Sequence, residues 1–260
     1  MLVAQLLAAV ERLAPTALAE DWDNVGLLVG RSNHPVRGVL VALELRDEVL
    51  GEAREHGCDA VVTHHPPIFP SLTALTDDGT AAELVLRAAE SRVAVIAAHT
   101  NLDSAAGGLN DLMAEVLGIG PSEPLKPDPG DPSVGLGRVG AVRPTTLAGL
   151  VQRVTAGFGQ GLVTYAGDPW TRLERVACCT GSGGSMIADA RAAGADALVT
   201  SDLKYHDADR AEGLPLVCLP HARAERTVLK RWTKLLEKAL APEGVEVRFA
   251  DADTDPWQVA

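Results

Sequence analysis

Residues 36–67 read VRGVLVALELRDEVLGEAREHGCDAVVTHHPP, and this stretch decides the fold class. Val36 to Leu45 is a nearly continuous apolar run, the pattern of a strand buried on both faces. Arg46 to His56 has helical character, and Gly57 is its stop. Ala60 to Thr63 is a second short buried strand that runs directly into His64-His65-Pro66-Pro67. Buried strand, helix and buried strand in succession build a largely parallel sheet in an α/β fold.

The same alternation extends outward in both directions. Val3, Leu6, Leu7, Val10 and Leu13 recur at helical spacing, and Pro15 ends that opening helix. Ala81–Ser91 reads as helix, Val93–Ala98 as strand and Leu109–Leu117 as helix. Five prolines between residues 120 and 134 then break the pattern, and this stretch reads as an irregular linker. Beyond it come strand Arg138–Val142, helix Thr146–Ala156, strand Arg175–Cys179 and a glycine turn at Gly181–Gly184. Helix Met186–Ala193, strand Ala197–Thr200, a short helix near His206, strand Leu216–Leu219 and a long helix from about Ala224 to Leu240 follow. The expected architecture is two similar β/α lobes with mixed, largely parallel sheets. The N-terminal lobe spans 1–119, the Pro-rich linker 120–134 and the C-terminal lobe 135–260, and the two lobes can also count as one domain.

Composition narrows the class further. Of 260 residues, 47% are hydrophobic and 22% charged, a balance that supports a real core and excludes a largely disordered chain. No apolar run approaches the ~20 residues that span a bilayer, and Glu11 and Arg12 interrupt the N-terminal segment, so neither membrane anchor nor signal peptide is expected and the location is cytoplasmic. The net charge of −12 counts against a nucleic-acid partner and suits cation binding. Cys58, Cys178, Cys179 and Cys218 sit in apolar surroundings without a C-x-x-C, so they read as small buried hydrophobes.

His64, His65, His99 and His221 each fall at or within a few residues of the end of a predicted strand, where open α/β sheets collect ligands. His99 is followed by Asp103 and His221 by Glu225, each four residues on and so one helical turn away. A lone histidine at a strand end is more often a satisfied structural residue than a ligand, and H-x-x-x-E is common on helix surfaces. The joint occurrence of all three groups at strand exits points instead to a metal site, with nitrogen and carboxylate donors suited to zinc, iron or manganese. The adjacent His64 and His65 are expected to point apart and to serve two ions rather than chelate one. Trp22 reads as a core or interface anchor, and Asp23-Asn24 as a turn or cap.

At these residues the chain resembles the GTP cyclohydrolase I type 2 homologs, the Nif-three-like family of dinuclear metal-centre proteins. The resemblance rests on Trp22-Asp23-Asn24-Val25-Gly26-Leu27, Thr63-His64-His65-Pro66-Pro67-Ile68-Phe69 and His99-Thr100-Asn101-Leu102-Asp103 in the first half. In the second half it rests on Gly181-Ser182-Gly183-Gly184, Asp202-Leu203-Lys204-Tyr205-His206-Asp207-Ala208, and His221 with Glu225. It implies two divalent metal ions per chain, held by His64, His65, Asp103, His221 and Glu225 in the cleft between the lobes, with Glu225 bridging. It also implies a homohexamer, a trimer of dimers, in a short form without an inserted domain. Trp22, Trp232 and Trp257 are candidate apolar contacts between copies.

The implied activity is metal-dependent hydrolysis of a small molecule, GTP or another nucleotide, by attack on a purine ring or a phosphoester. His99 would be a further ligand or a proton carrier. Lys204 and His206 would handle an anionic substrate and protons, unless they serve only packing or helix capping. The alternative is a non-catalytic metal-binding ring protein that carries metal or binds a regulatory partner. Glu44 stands where the family pattern has aspartate, Ser201 and Pro220 where it has glycine, and Ala222 where it has an aromatic. None of these departures removes a metal ligand.

Overall fold

The computed structural model describes residues 1–77, 79, 81–159 and 162–257. In chain order its elements begin α1 (Val3–Leu13), β1 (Gly26–Val29), β2 (Gly38–Ala42), α2 (Asp47–Glu55), β3 (Ala60–Thr63), α3 (Ala81–Glu90), β4 (Ala94–Ala97) and α4 (Thr100–Ser104). They continue α5 (Leu109–Leu117), β5 (Ser122–Pro127), β6 (Gly135–Thr146), α6 (Leu147–Phe158), β7 (Thr164–Ala166), β8 (Arg172–Ser182) and α7 (Ile187–Ala192). The last are β9 (Ala197–Ser201), α8 (Tyr205–Arg210), β10 (Leu216–Cys218), α9 (His221–Leu240) and β11 (Glu246–Phe249). The chain forms two compact α/β units, Met1–Leu102 with Leu229–Thr254, and Asp103–Val228 with Asp255–Ala260.

The first unit holds a five-stranded sheet of order β1-β4-β3-β2-β11. β4, β3, β2 and β11 are parallel, and β1 closes one edge antiparallel to β4. Every residue of β2, β3 and β4 is buried, which is why each reads as an unbroken apolar run. Val49 and Ala53 of α2 and Val85 and Ala88 of α3 lie in one core cluster with Leu40 of β2, Val61 of β3 and Val95 of β4. Trp232 of α9 is only 1% exposed, so it belongs to a core and is no contact between copies.

The second unit holds a six-stranded sheet of order β5-β6-β8-β9-β10-β7. β8, β9 and β10 run parallel, while β5–β6, β6–β8 and β10–β7 are antiparallel. Thr146 caps α6, its hydroxyl accepting from Gly149 N at 3.2 Å, a contact worth ~0.5–2 kcal/mol at a helix start. Ala177, Leu198 and Leu216 of the sheet pack with Met186, Ile187 and Ala190.

Two expectations are corrected here. The 120–134 segment is not wholly irregular, because Ser122–Pro127 forms β5 and pairs with β6. β5 is an edge strand, the place in a sheet where the missing N–H of Pro124 and Pro127 is tolerated. The lobes are also not sequential halves divided at that segment. The first compact unit takes back residues 229–254, with β11 pairing parallel to β2 from Glu246↔Gly38 to Phe249↔Val41.

Candidate metal centre

In the first unit, three histidines leave the sheet at the carboxyl ends of parallel strands. His64 and His65 follow β3 directly, and their backbone N–H groups continue the ladder to Ala42 O at 3.1 Å and Leu43 O at 2.7 Å. His64 is fully buried, and its Nδ1 lies 2.9 Å from Ala98 O. A carbonyl only accepts, so Nδ1 carries the proton and Nε2 keeps the lone pair. His99 follows β4, and its Nδ1 lies 2.9 Å from Asp23 Oδ1, which fixes that ring in the same way.

Asp23 is the residue that sequence reading passed over as a turn former. Its carboxylate also accepts from Thr100 N at 3.0 Å and from the Thr100 hydroxyl. Burial works to raise its pKa, but the bonds from His99 and Thr100 overcome that and hold the carboxyl well below the usual range. Asn101 ties the turn further, accepting from His99 N at 2.9 Å and donating to Ala14 O at 2.7 Å.

Ring nitrogens of His64, His65 and His99 all lie within 4.8 Å of one another. The rings of His64 and His65 are 5.3 Å apart with only 37° between their planes, so they converge rather than point apart. Beside them stands an aromatic pair. Trp22 is 56% exposed and meets Phe69 edge-on at 5.8 Å and His99 at 6.1 Å. Trp22 is therefore no core anchor.

The second unit repeats the device. Thr180 at the end of β8, Asp202 just past β9 and His221 three residues past β10 all sit at the carboxyl ends of its parallel strands. Asp202 Oδ2 lies 2.6 Å from His221 Nδ1, and His221 Nε2 lies 2.9 Å from Glu225 Oε2 one turn along α9. Asp202 holds φ of +55°, a left-handed conformation that most side chains avoid and Asp tolerates. Burial works to lower the His221 pKa, but Glu225 and then Asp202 outweigh it and push it up to about 10.

Buried Asp103 is held by Thr180, whose hydroxyl donates to Asp103 Oδ1 at 2.9 Å. Buried Asn110 donates to Asp103 O at 3.0 Å and accepts from Thr180 N at 2.9 Å. Gly181 has φ of +65°, and a Cβ there would stand 2.7 Å from Glu225 Oε1. The glycine turn is thus the floor under Glu225. Lys204 and His206 lie exposed at the start of α8, where Lys204 N donates to Asp207 Oδ2 at 2.8 Å and the His206 ring meets Tyr205 at 5.3 Å. Burial pushes the Cys178 thiol up to about 12 and raises that of Cys179, so both are inert fillers.

The donor set fits a divalent cation. Imidazole nitrogens and carboxylate oxygens are the usual ligands of zinc and iron, and a ligating histidine commonly gives its other ring N–H to a carboxylate or carbonyl. Among the described residues no helix is long and apolar enough to cross a membrane.

The sequence model of the Duf34/NIF3 (NGG1p interacting factor 3) family matches residues 1–256. The chain is 30% identical over 256 residues to the GTP cyclohydrolase 1 type 2 homolog of Clostridium perfringens (strain 13 / Type A), covering 97% of each. It is 33% identical over 266 residues to the GTP cyclohydrolase 1 type 2 homolog of Streptomyces coelicolor, covering 98% of this chain and 93% of that relative. The solved structure of Staphylococcus aureus hypothetical protein SA1388 superposes with a TM-score of 0.94 at 28% identity, covering 100% of this chain and 99% of that one.

Proposed function

This chain belongs to the Duf34/NIF3 family, and on that premise we propose that it is a two-metal hydrolase acting on a small nucleotide-like substrate. One observation carries the reading. The Nδ1 atoms of His64, His99 and His221 are each tied to an oxygen acceptor, so each ring is oriented through that nitrogen and Nε2 is the atom left for a metal at His64 and His221 and for a proton at His99.

His64, His65, Asp103, His221 and Glu225 would hold the two divalent ions, zinc, iron or manganese, and the Glu225 carboxylate would offset the repulsion between them. When bound, such a pair supplies a water acidic enough to ionise near neutral pH and a Lewis acid for the substrate. The chain's own groups do the rest. His99, oriented by Asp23, moves a proton to or from the reacting centre through Nε2. Lys204 engages the anionic part of the substrate, and His206 exchanges protons with solvent. The reaction is the hydrolytic opening of a purine ring or of a phosphoester, and the name shared by the relatives points to GTP.

Glu225→Gln tests this reading. It keeps the side chain's size and one carbonyl oxygen and removes the charge that offsets repulsion between two cations. Mass spectrometry should find two metals per wild-type chain and at least half of them lost in a variant that circular dichroism shows to be folded. Release of formate from GTP, or phosphate from a phosphoester panel, should fall with the metal. A folded variant that keeps both metals would falsify the shared-carboxylate role.

A further inference from the structure

In the second unit, Asp103 stands inside a closed ring of hydrogen bonds. α4 carries Asp103, α5 carries Asn110 and β8 carries Thr180, and all three residues are buried. The Thr180 hydroxyl donates to Asp103 Oδ1 at 2.9 Å, Asn110 donates to Asp103 O at 3.0 Å, and Thr180 N donates to Asn110 Oδ1 at 2.9 Å. The turn between Asp103 and Asn110 is pinned as well. Arg138, only 2% exposed, donates from Nη2 to Ala105 O at 3.3 Å and pairs through Nε with Asp111.

This ring makes the two oxygens of Asp103 unequal. A hydroxyl has one proton to give, and the Thr180 proton goes to Asp103 Oδ1 at 2.9 Å rather than to Asn110 Oδ1 at 3.4 Å. A bond from a hydroxyl to an ionised carboxylate is a strong one, so Oδ1 is the poorer donor to a cation. Cations differ in what they ask of a carboxylate. Zinc is satisfied by about four ligands, whereas calcium takes roughly six to eight oxygens and often draws both from one carboxylate.

We propose that Thr180 is a positioning residue that confines Asp103 to coordination through Oδ2, so that the centre favours a small cation with few ligands over a large one with many. The inference rests on the reading of Asp103 as a metal ligand, and it adds what sets the class of cation that is accepted. Asn110 acts one step back, holding the Thr180 backbone and the Asp103 carbonyl so that the hydroxyl meets Oδ1.

The experiment uses metal-free, full-length protein and three variants. Thr180→Val keeps the shape and loses the hydroxyl, Thr180→Ser keeps the hydroxyl, and Thr180→Ala is read in place of Val if Val does not fold. Bound cobalt(II) reports the number of ligands, because its visible absorption weakens as that number rises. Competition with chromophoric chelators gives affinities for zinc and calcium. With Oδ1 released, Thr180→Val should show a weaker cobalt band, and its preference for zinc over calcium should fall at least about tenfold, the lower end of what outer partners of metal ligands contribute. Thr180→Ser should keep the wild-type band and preference. A Thr180 that only stabilises the fold would lower the melting temperature of the Val variant and move neither metal readout.

A folded Thr180→Val or Thr180→Ala protein with the wild-type cobalt band and cation preference overturns the proposal and leaves the metal reading standing. A Thr180→Ser protein that behaves like Thr180→Val overturns it too. Wild-type protein that takes up neither cobalt nor zinc overturns the metal reading, and the selectivity with it.

Discussion

Asp202→Asn isolates what an oriented carboxylate contributes to the centre. Asn tolerates the left-handed conformation that Asp202 adopts at φ +55°, so the backbone stays where it is. It also keeps one oxygen to accept from His221 Nδ1, now 2.6 Å away, and removes only the charge. Outer partners of metal-ligating histidines are worth about 10–100-fold in metal affinity, or ~1.4–2.8 kcal/mol. Asp202→Ala loses the same partner and also places an ordinary side chain in a left-handed conformation, adding ~1–2 kcal/mol of strain. For a chain of this size ~1 kcal/mol shifts the melting temperature by about 2–4 °C. Competition with a chromophoric chelator for zinc measures affinity, and thermal melts of metal-free protein measure stability. The Asn variant should bind zinc about 10–100-fold more weakly, and the Ala variant should in addition melt at least about 2 °C below the Asn variant. Wild-type zinc affinity in Asp202→Asn would refute the orienting role. Equal melting temperatures of the two variants would refute the strain.

Two further outcomes are expected. Gly181→Ala puts a methyl 2.7 Å from Glu225 Oε1 in a conformation of φ +65°, so it should displace Glu225, reduce metal content and lower stability by ~1 kcal/mol; metal analysis and melting check both. We also propose from the family resemblance that six chains assemble, so light scattering should give about six times 27.2 kDa, and a mass near that of one chain rejects the assembly.

What was legible in the sequence follows from what each residue touches. β3 and β4 are buried on both faces, so their apolar runs announce them, and Leu109–Leu117 reads as the helix it is because its own period suffices. β1, β7 and β11 went unread. They are edge strands of three or four residues, and neither β7 nor β11 has a fully buried residue, so a neighbour's ladder makes them strands more than their own composition does. β5 was hidden by prolines that an edge permits. The histidines stand out because they lie within three residues of strand ends. Their orienting partners do not, since Asp23 lies 76 residues from His99, Asp202 lies 19 from His221 and Thr180 lies 77 from Asp103. Such pairs are made by the fold and leave no local period. Trp22 and Trp232 show the same limit: both are large and apolar, yet one is exposed beside the histidines and the other is buried in a core.

The return of residues 229–254 to the first unit shapes how this protein is made. On the ribosome, residues 103–228 emerge while β2 still has one flank without its final partner, because β11 lies at 246–249 and pairs with it last. The second unit can therefore acquire its sheet from contiguous chain, whereas the first must wait for residues 229–254. Until then the row of N–H and C=O groups along Gly38–Ala42 is open to pairing with other nascent chains. A stop codon or a pause shortly before residue 246 would leave all the residues named as metal ligands synthesised, while β2 of the first unit, a wholly buried strand in the finished sheet, is still an edge.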